Sequence, residues 1–397
     1  MKVLLIDVNC KGSSTGQIVY NLYSYLNERG DEAAVCYGRG KPIAEKNIYK
    51  FGLDWETYLH ALLTRVTGYT GCFSFFSTRR LLRFIDAFQP DVVHLHELHA
   101  YFLNTDTLLQ YLAKKNIRVV YTLHCEFAYT GKCGYSMECD RWKENCGNCP
   151  HLRDYPSTLF FDCTRQMLAG KRRALLAFKD IAYVAPSRWL LDRAKQSFLA
   201  GQEFHLIHNG IDLSVFSPCD SGELRRKHSI PADRKIALAL APHLMSETKG
   251  GLYVLQLAAR MPSVLFILIG ADEEPYEREN VLSLGPIYDK DLLAQYYSLA
   301  DCFVICSTNE NFPTTCIEAV CCGTPVVGFD TGGTKEVAPE PLGRFVPKGD
   351  LDALQLETER LLTGERTVPE QAFADIRRHY SFSRMGKEYR EIYTGRS

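Results

Sequence analysis

The chain alternates short apolar runs with longer amphipathic ones, and this most restricts what it can become. In the first half the apolar runs are "KVLLIDV", "EAAVCYG", "DVVHLH", "RVVYTLH", "IAYVAPS" and "EFHLIHNG". In the second half they are "KIALALA", "VLFILIG", "NVLSLG", "CFVICST", "PVVGFD" and "GRFVPKG". Helix-period stretches such as "GQIVYNLYSYLNER" and "DALQLETERLL" lie between most of them. Strands apolar on both faces, separated by helices, build parallel, doubly wound sheets. Two such sets predict an α/β fold of two Rossmann-like domains. The turn-rich "NGIDLSVFSPCD" marks the join. The predicted division is residues 1–215, residues 216–378, and a terminal helix over 379–397 that packs back on the first domain.

Length and charge narrow the function. At 397 residues the chain accommodates two domains. A net charge of -1 gives no footprint for nucleic acid. No apolar run approaches the ~20 residues of a membrane span. The opening "MKVLLIDVNC" reads as a first strand, not a signal peptide. The expected compartment is the cytoplasm, where the fifteen cysteines stay reduced.

Ligands of open parallel sheets bind beyond the carboxyl ends of the strands. Two such domains would face each other across a central cleft. "NCKGSSTGQ", "HLHELHAYFLN", "HCEFAYTG" and "NENFPTT" all follow strands and fall at its mouth. In "NENFPTTCIEAVCCGTPVVGFDTGG", Glu310 lies just past a strand and Glu318 in the helix that Thr314 and Thr315 open. A helix N-terminus suits a phosphate, and a carboxylate such as Glu318 can accept from ribose hydroxyls. A solvated loop glutamate and a helix carboxylate favouring the dipole are the plain alternative.

This stretch does not stand alone. With "STGQIVYNLY", "PDVVHLHELHAYFLN", "VVYTLHC", "APSRWL", "HNGIDLSVFSP", "KGG", "YYSLADCFVICST" and "YSFSRMGKEYREIY", it resembles the retaining GT-B glycosyltransferases that carry an E-x7-E motif, of the bacterial polysaccharide-assembly type. The resemblance spans essentially the whole chain. It extends to a subgroup with a cysteine-rich loop, "TGKCGYSMECDRWKENCGNCPHL", over residues 131–151.

The resemblance implies a retaining glycosyltransferase acting from a nucleotide-sugar donor on a glycan or lipid-linked acceptor. It implies that Glu310 contacts the transferred sugar and Glu318 the ribose. Thr314 and Thr315 would offer backbone N–H groups to the diphosphate, and Lys249 its charge. Gly16 would allow close approach of the first loop, and His124 would sit against sugar and acceptor. Where relatives carry an Arg near the lysine, this chain has Leu244 and Thr248. Pro313 replaces a turn glycine and Cys125 an aspartate. With no evident nucleophile, front-face attack with a leaving-group phosphate as base is expected, with no catalytic cofactor.

Three further features bear on partners. His94, His96 and His99 invite a metal reading, but their surroundings match the family's acceptor-side loop. His96 and His99 are therefore expected to be acceptor-side or structural. Cys133, Cys139, Cys146 and Cys149 are candidates for a structural Zn2+. A disulfide, an iron–sulfur cluster or unrelated thiols are the alternatives. "TGCFSFFSTRRLLRF" and "GKRR" join aromatics to basic residues. They read either as a peripheral membrane patch, at the inner face of the membrane, or as helices with a basic face in water. A sugar-nucleotide 2-epimerase of the same architecture and a catalytically silent sugar-nucleotide-binding protein remain alternatives to a transferase.

Overall fold

A computed structural model describes residues 1–271, 278–364 and 367–395. The chain forms two compact units: residues 1–208 with 385–397, and residues 209–384.

In the first unit the strands are β1 (Lys2–Asp7), β2 (Glu32–Tyr37), β3 (Ile48–Lys50), β4 (Val92–Leu95), β5 (Arg118–Thr122), β6 (Ile181–Ala185) and β7 (Glu203–Leu206). They form one sheet in the order β3-β2-β1-β4-β5-β6-β7, with every pairing parallel. The order reverses between β1 and β4, so a crevice opens beyond their carboxyl ends. Three helices matter below: α1 (Ser14–Glu28), α2 (Asp54–Thr67) and α3 (Phe75–Phe88). The terminal helix Phe382–Tyr393 supplies this unit with a polar anchor. Tyr393 Oη lies 2.6 Å from His94 Nδ1, Tyr389 Oη lies 2.9 Å from Thr122 Oγ1, and Arg390 Nε donates to Asp31 at 2.7 Å.

In the second unit β8 (Ile236–Leu240), β9 (Leu265–Ile269), β10 (Val281–Leu284), β11 (Cys302–Ile305), β12 (Val326–Phe329) and β13 (Gly343–Val346) pair in the order β10-β9-β8-β11-β12-β13. The switch point falls between β8 and β11. Successive residues point to opposite faces. Leu238, Ile267 and Phe303 enter one apolar cluster, while Ala237, Phe266 and Val304 enter another. Both faces are therefore covered, which is why these strands read as continuous apolar runs.

All twelve apolar runs contain a strand. The short edge strand β3 is the addition, and its "NIYK" carries little apolar signal.

Candidate functional site

The second unit brings Lys249, Glu310, Thr314, Thr315 and Glu318 to the carboxyl end of its sheet. Lys249 follows β8 and Glu310 follows β11, the two strands that flank the switch point. Their loops are stitched together. Thr308 N donates to the Thr248 carbonyl at 2.9 Å. Gly250, at φ 70°, sits where a Cβ would lie 2.0 Å from the Cys306 carbonyl oxygen. Lys249 Nζ then meets Glu310 Oε1 at 2.6 Å. Glu310 is itself fixed from behind. Gly332, at φ 60°, packs so tightly on its carbonyl that a Cβ would stand 1.6 Å away. Only glycine fits both positions.

The helix Thr314–Cys321 starts at Pro313, and no side chain caps it. Its first N–H groups lack intrahelical partners. Thr314 and Thr315, both half-buried, occupy its first two positions. One turn on, Glu318 is held by Tyr297, whose hydroxyl donates to Oε2 at 2.8 Å. Burial pushes the Glu318 carboxyl up to about 7, and the tyrosine bond opposes that rise. Tyr297 was not singled out in the sequence. It lies on another helix, Lys290–Leu299, within the "YYSLADCF" stretch. Arg344, on β13, is engaged by Glu340 at 3.1 Å and Glu357 at 3.8 Å.

In the first unit Gly16 lies in the first turn of α1, where its N–H donates to the Ser13 hydroxyl at 3.0 Å. A Cβ there would come within 3.1 Å of the Asn9 carbonyl, so the residue lets the helix start close against the loop after β1. His96 and His124, after β4 and β5, face each other, with Nδ1 and Nε2 2.9 Å apart. Burial pushes His124 down to about 4 and His96 well below its usual range. Both are neutral at pH 7. His99 behaves differently. Its Nε2 lies 2.7 Å from Glu97 Oε2. Burial opposes its charge, yet Glu97 keeps it protonated well above the ordinary range. Burial raises the Glu97 carboxyl, but the His99 charge prevails and holds it at about 2. Glu97, Asp7 and Cys125 join this cluster without having been predicted as site residues. Glu97 N donates to the Asp7 carboxylate at 3.0 Å.

Cys133, Cys139, Cys146 and Cys149 line one cavity together with Lys132 and Trp142. The Cys133 and Cys149 thiols act on each other, which lowers Cys149 and raises Cys133. Among the described residues, the group of three or more ligand atoms within 4.8 Å of one another is Glu97, His99 and Cys125, not the four cysteines. The four thiols are gathered without being drawn into mutual ligation distance.

Two parallel Rossmann-like sheets in succession, the second carrying a lysine–glutamate pair at its switch point beside an uncapped helix, define the GT-B class of α/β protein. Solved structures share this fold. Sucrose-phosphate synthase from Thermosynechococcus elongatus aligns over 100% of this chain and 98% of its own, with TM-score 0.71 and 17% identity. Anabaena HepE in complex with UDP-glucose aligns over 100% of both chains, with TM-score 0.68 and 16% identity. The family description "Glycosyltransferase Family 4" matches residues 15–215 and "Glycosyl transferases group 1" residues 220–375, so the chain belongs to these glycosyltransferases. The "Putative colanic acid biosynthesis glycosyl transferase WcaC" of Escherichia coli (strain K12) is 28% identical over 315 residues, 77% of this chain and 76% of that one.

Proposed function

We propose that this glycosyltransferase moves a sugar, with retention, from a nucleotide-diphosphate sugar to a growing glycan carried as a polysaccharide, lipopolysaccharide or lipid-linked oligosaccharide, at the cytoplasmic face of a membrane. The observation that carries the reading is the Lys249–Glu310 pair beside an uncapped helix N-terminus. The similarity to WcaC and the UDP-glucose complex of HepE support the substrate classes.

In this reading the diphosphate seats on the N–H groups of Thr314 and Thr315 and draws Lys249 toward it. Departure of the nucleoside diphosphate leaves negative charge on its phosphate oxygens. A fixed cation and oriented N–H groups stabilise that charge without reorganisation. Released from Lys249, Glu310 accepts from hydroxyls of the transferred sugar and stands near the developing oxocarbenium charge. Glu318 takes the ribose hydroxyls on the oxygen that Tyr297 leaves open. The acceptor hydroxyl attacks from the leaving-group face, its proton passing to a diphosphate oxygen. Neutral His124, with His96 and His99, shapes the sugar and acceptor side, and Gly16 lets the first loop approach the donor. Cys133, Cys139, Cys146 and Cys149 belong to the same proposal as holders of a structural Zn2+. Four sulfur donors would leave no open position for catalysis.

The test is a thermal-shift screen over UDP-, GDP- and ADP-sugars, followed by NMR of the anomeric configuration in the product. One donor should raise the melting temperature by mass action, and the product should keep the donor's configuration. Inverted product, or a C2-epimerised sugar formed from donor alone, overturns the reading.

A further inference from the structure

Helix α2 is built inside out. A helix on a globular protein normally turns its apolar stripe inward. Here the inward positions are polar: Glu56, Thr57, His60 and Thr64 are buried. Glu56 and His60 act as caps and ties. The Glu56 carboxylate accepts from Phe76 N and Ser77 N, each at 2.8 Å, at the start of α3. His60 Nδ1 lies 2.8 Å from Ser74 Oγ, and its Nε2 accepts from Gly71 N at 3.2 Å.

The outward positions are Trp55, Tyr58, Leu59, Leu62 and Val66, all exposed, with Tyr58 at 75%. Their spacing of three and four residues makes one continuous stripe. Two neighbouring segments widen it. At the start of α3, Phe75 and Phe76 are each 62% exposed, and the Phe76 ring lies 6.0 Å from that of Trp55. At the other end Leu159 N donates to the Arg65 carbonyl at 2.9 Å, which lays the exposed turn 159–161 against the end of α2. Gly68 is packed so closely on Phe161 that a Cβ would stand 2.3 Å from its carbonyl oxygen. A contiguous apolar face of this extent marks a surface that something covers.

We infer that this face, α2 with the start of α3 and the 159–161 turn, is a lipid-docking surface that lies on an anionic membrane leaflet. Charge selects the occupant. Arg65, Arg79 and Arg83 are exposed and take part in no ion pair among the described residues. Arg79 and Arg83 continue the row begun by Phe75 at steps of four. Asp54, the exposed acid on α2, is engaged by Lys50 at 2.8 Å. A second copy packed on this face by a twofold axis would bring like charges together, whereas lipid phosphates supply the missing anions. A 14-residue helix is about 21 Å long. Neither it nor any other described helix is long and apolar enough to cross a membrane, so α2 lies in the interface plane. The biological sense of this surface rests on the membrane-side acceptor proposed above, but its test needs no turnover.

Full-length protein is sedimented with sucrose-loaded vesicles of phosphatidylcholine alone, or with about one third phosphatidylglycerol, at low and high salt. Wild type should partition onto the anionic vesicles about tenfold more strongly than onto neutral ones, and less at high salt. Leu59→Ser with Leu62→Ser should lose about tenfold or more on both vesicle types. Arg79→Gln with Arg83→Gln should lose only the anionic preference. All these side chains point outward, so the melting temperature and the donor-induced shift should be unchanged. Wild type remaining in the supernatant, or the leucine variant sedimenting like wild type, overturns the inference. So does a concentration-dependent dimer that the leucine variant abolishes. Vesicle binding without a donor-induced shift would leave this inference standing and sink the transferase reading; the reverse result would do the opposite.

Discussion

Lys249 Nζ lies 2.6 Å from Glu310 Oε1, so in the proposed reading each side chain occupies the position that the other's substrate group would claim. Neither is fully buried, with side-chain exposures of 30% and 11%, and the pair can open as a diphosphate arrives. The two residues should therefore separate in experiment. Lys249→Met should weaken nucleoside diphosphate binding and slow turnover together, by about a hundredfold in kcat/KM if the cation acts in a water-poor site. Glu310→Gln should lose most turnover and keep nucleotide affinity, because it removes a sugar contact and frees the lysine. Calorimetric titration with free nucleoside diphosphate checks both. Equal affinity losses in the two variants would count against the division of roles.

Glu318 predicts a pH dependence. Burial holds its carboxyl at about 7 in the unliganded protein, so at pH 6 it is mostly protonated. Ribose hydroxyls donate to the ionised form and lower that pKa. Nucleotide binding at pH 6 should release up to one proton, and affinity should rise as pH increases toward 7.5. The proton count comes from calorimetry in buffers of different ionisation enthalpy. Glu318→Gln should remove the release. Tyr297→Phe should move the affinity profile to higher pH, since the hydroxyl favours the ionised carboxylate. A stability effect accompanies this. With the folded pKa above the unfolded one, Glu318 costs stability progressively as pH rises from about 4.5 to 7.

The loop over residues 131–151 is anchored by an ion pair that a melting curve can read. Arg193 Nε donates to Glu126 Oε1 at 2.7 Å, with only 1% of the Glu126 side chain exposed. The same carboxylate takes Ser136 N at 2.5 Å and the Ser136 hydroxyl at 2.9 Å. Arg193→Leu leaves that buried charge unpaired. It should cost roughly 3 kcal/mol, on the order of 10 °C in melting temperature for a unit of this size. In the proposed reading the donor-induced thermal shift should persist, since Lys249, Glu310 and Glu318 lie in the other unit.

Protein purified under reducing conditions should carry about one Zn2+ per chain at Cys133, Cys139, Cys146 and Cys149. Cys149→Ser should release it and lower the melting temperature, because a structural ion contributes folding free energy. Elemental analysis and thiol titration decide the matter. Four freely titrating thiols with no metal would leave the four cysteines as reduced residues lining that cavity.

The strands and their parallel order were legible because a strand buried on both faces must be apolar along its length, and that demand is local. The placement of Glu310, Glu318 and Lys249 at the carboxyl end of the second sheet was legible because each follows a strand or lies in a helix that opens there. What the sequence could not show are relationships made by distant segments. Tyr297 meets Glu318 from a different helix. Gly332 is required only because the Glu310 carbonyl stands against it. His99 is held charged by Glu97, 2.7 Å away, while His124, likewise half-buried, is pushed to the neutral form. Helix α2 carries the same point furthest. Its periodicity is that of an ordinary amphipathic helix, and the sequence alone specifies both stripes equally well. Which stripe faces inward was decided by Glu56 and His60, whose partners on α3 and the 71–74 turn exist only once the chain has folded.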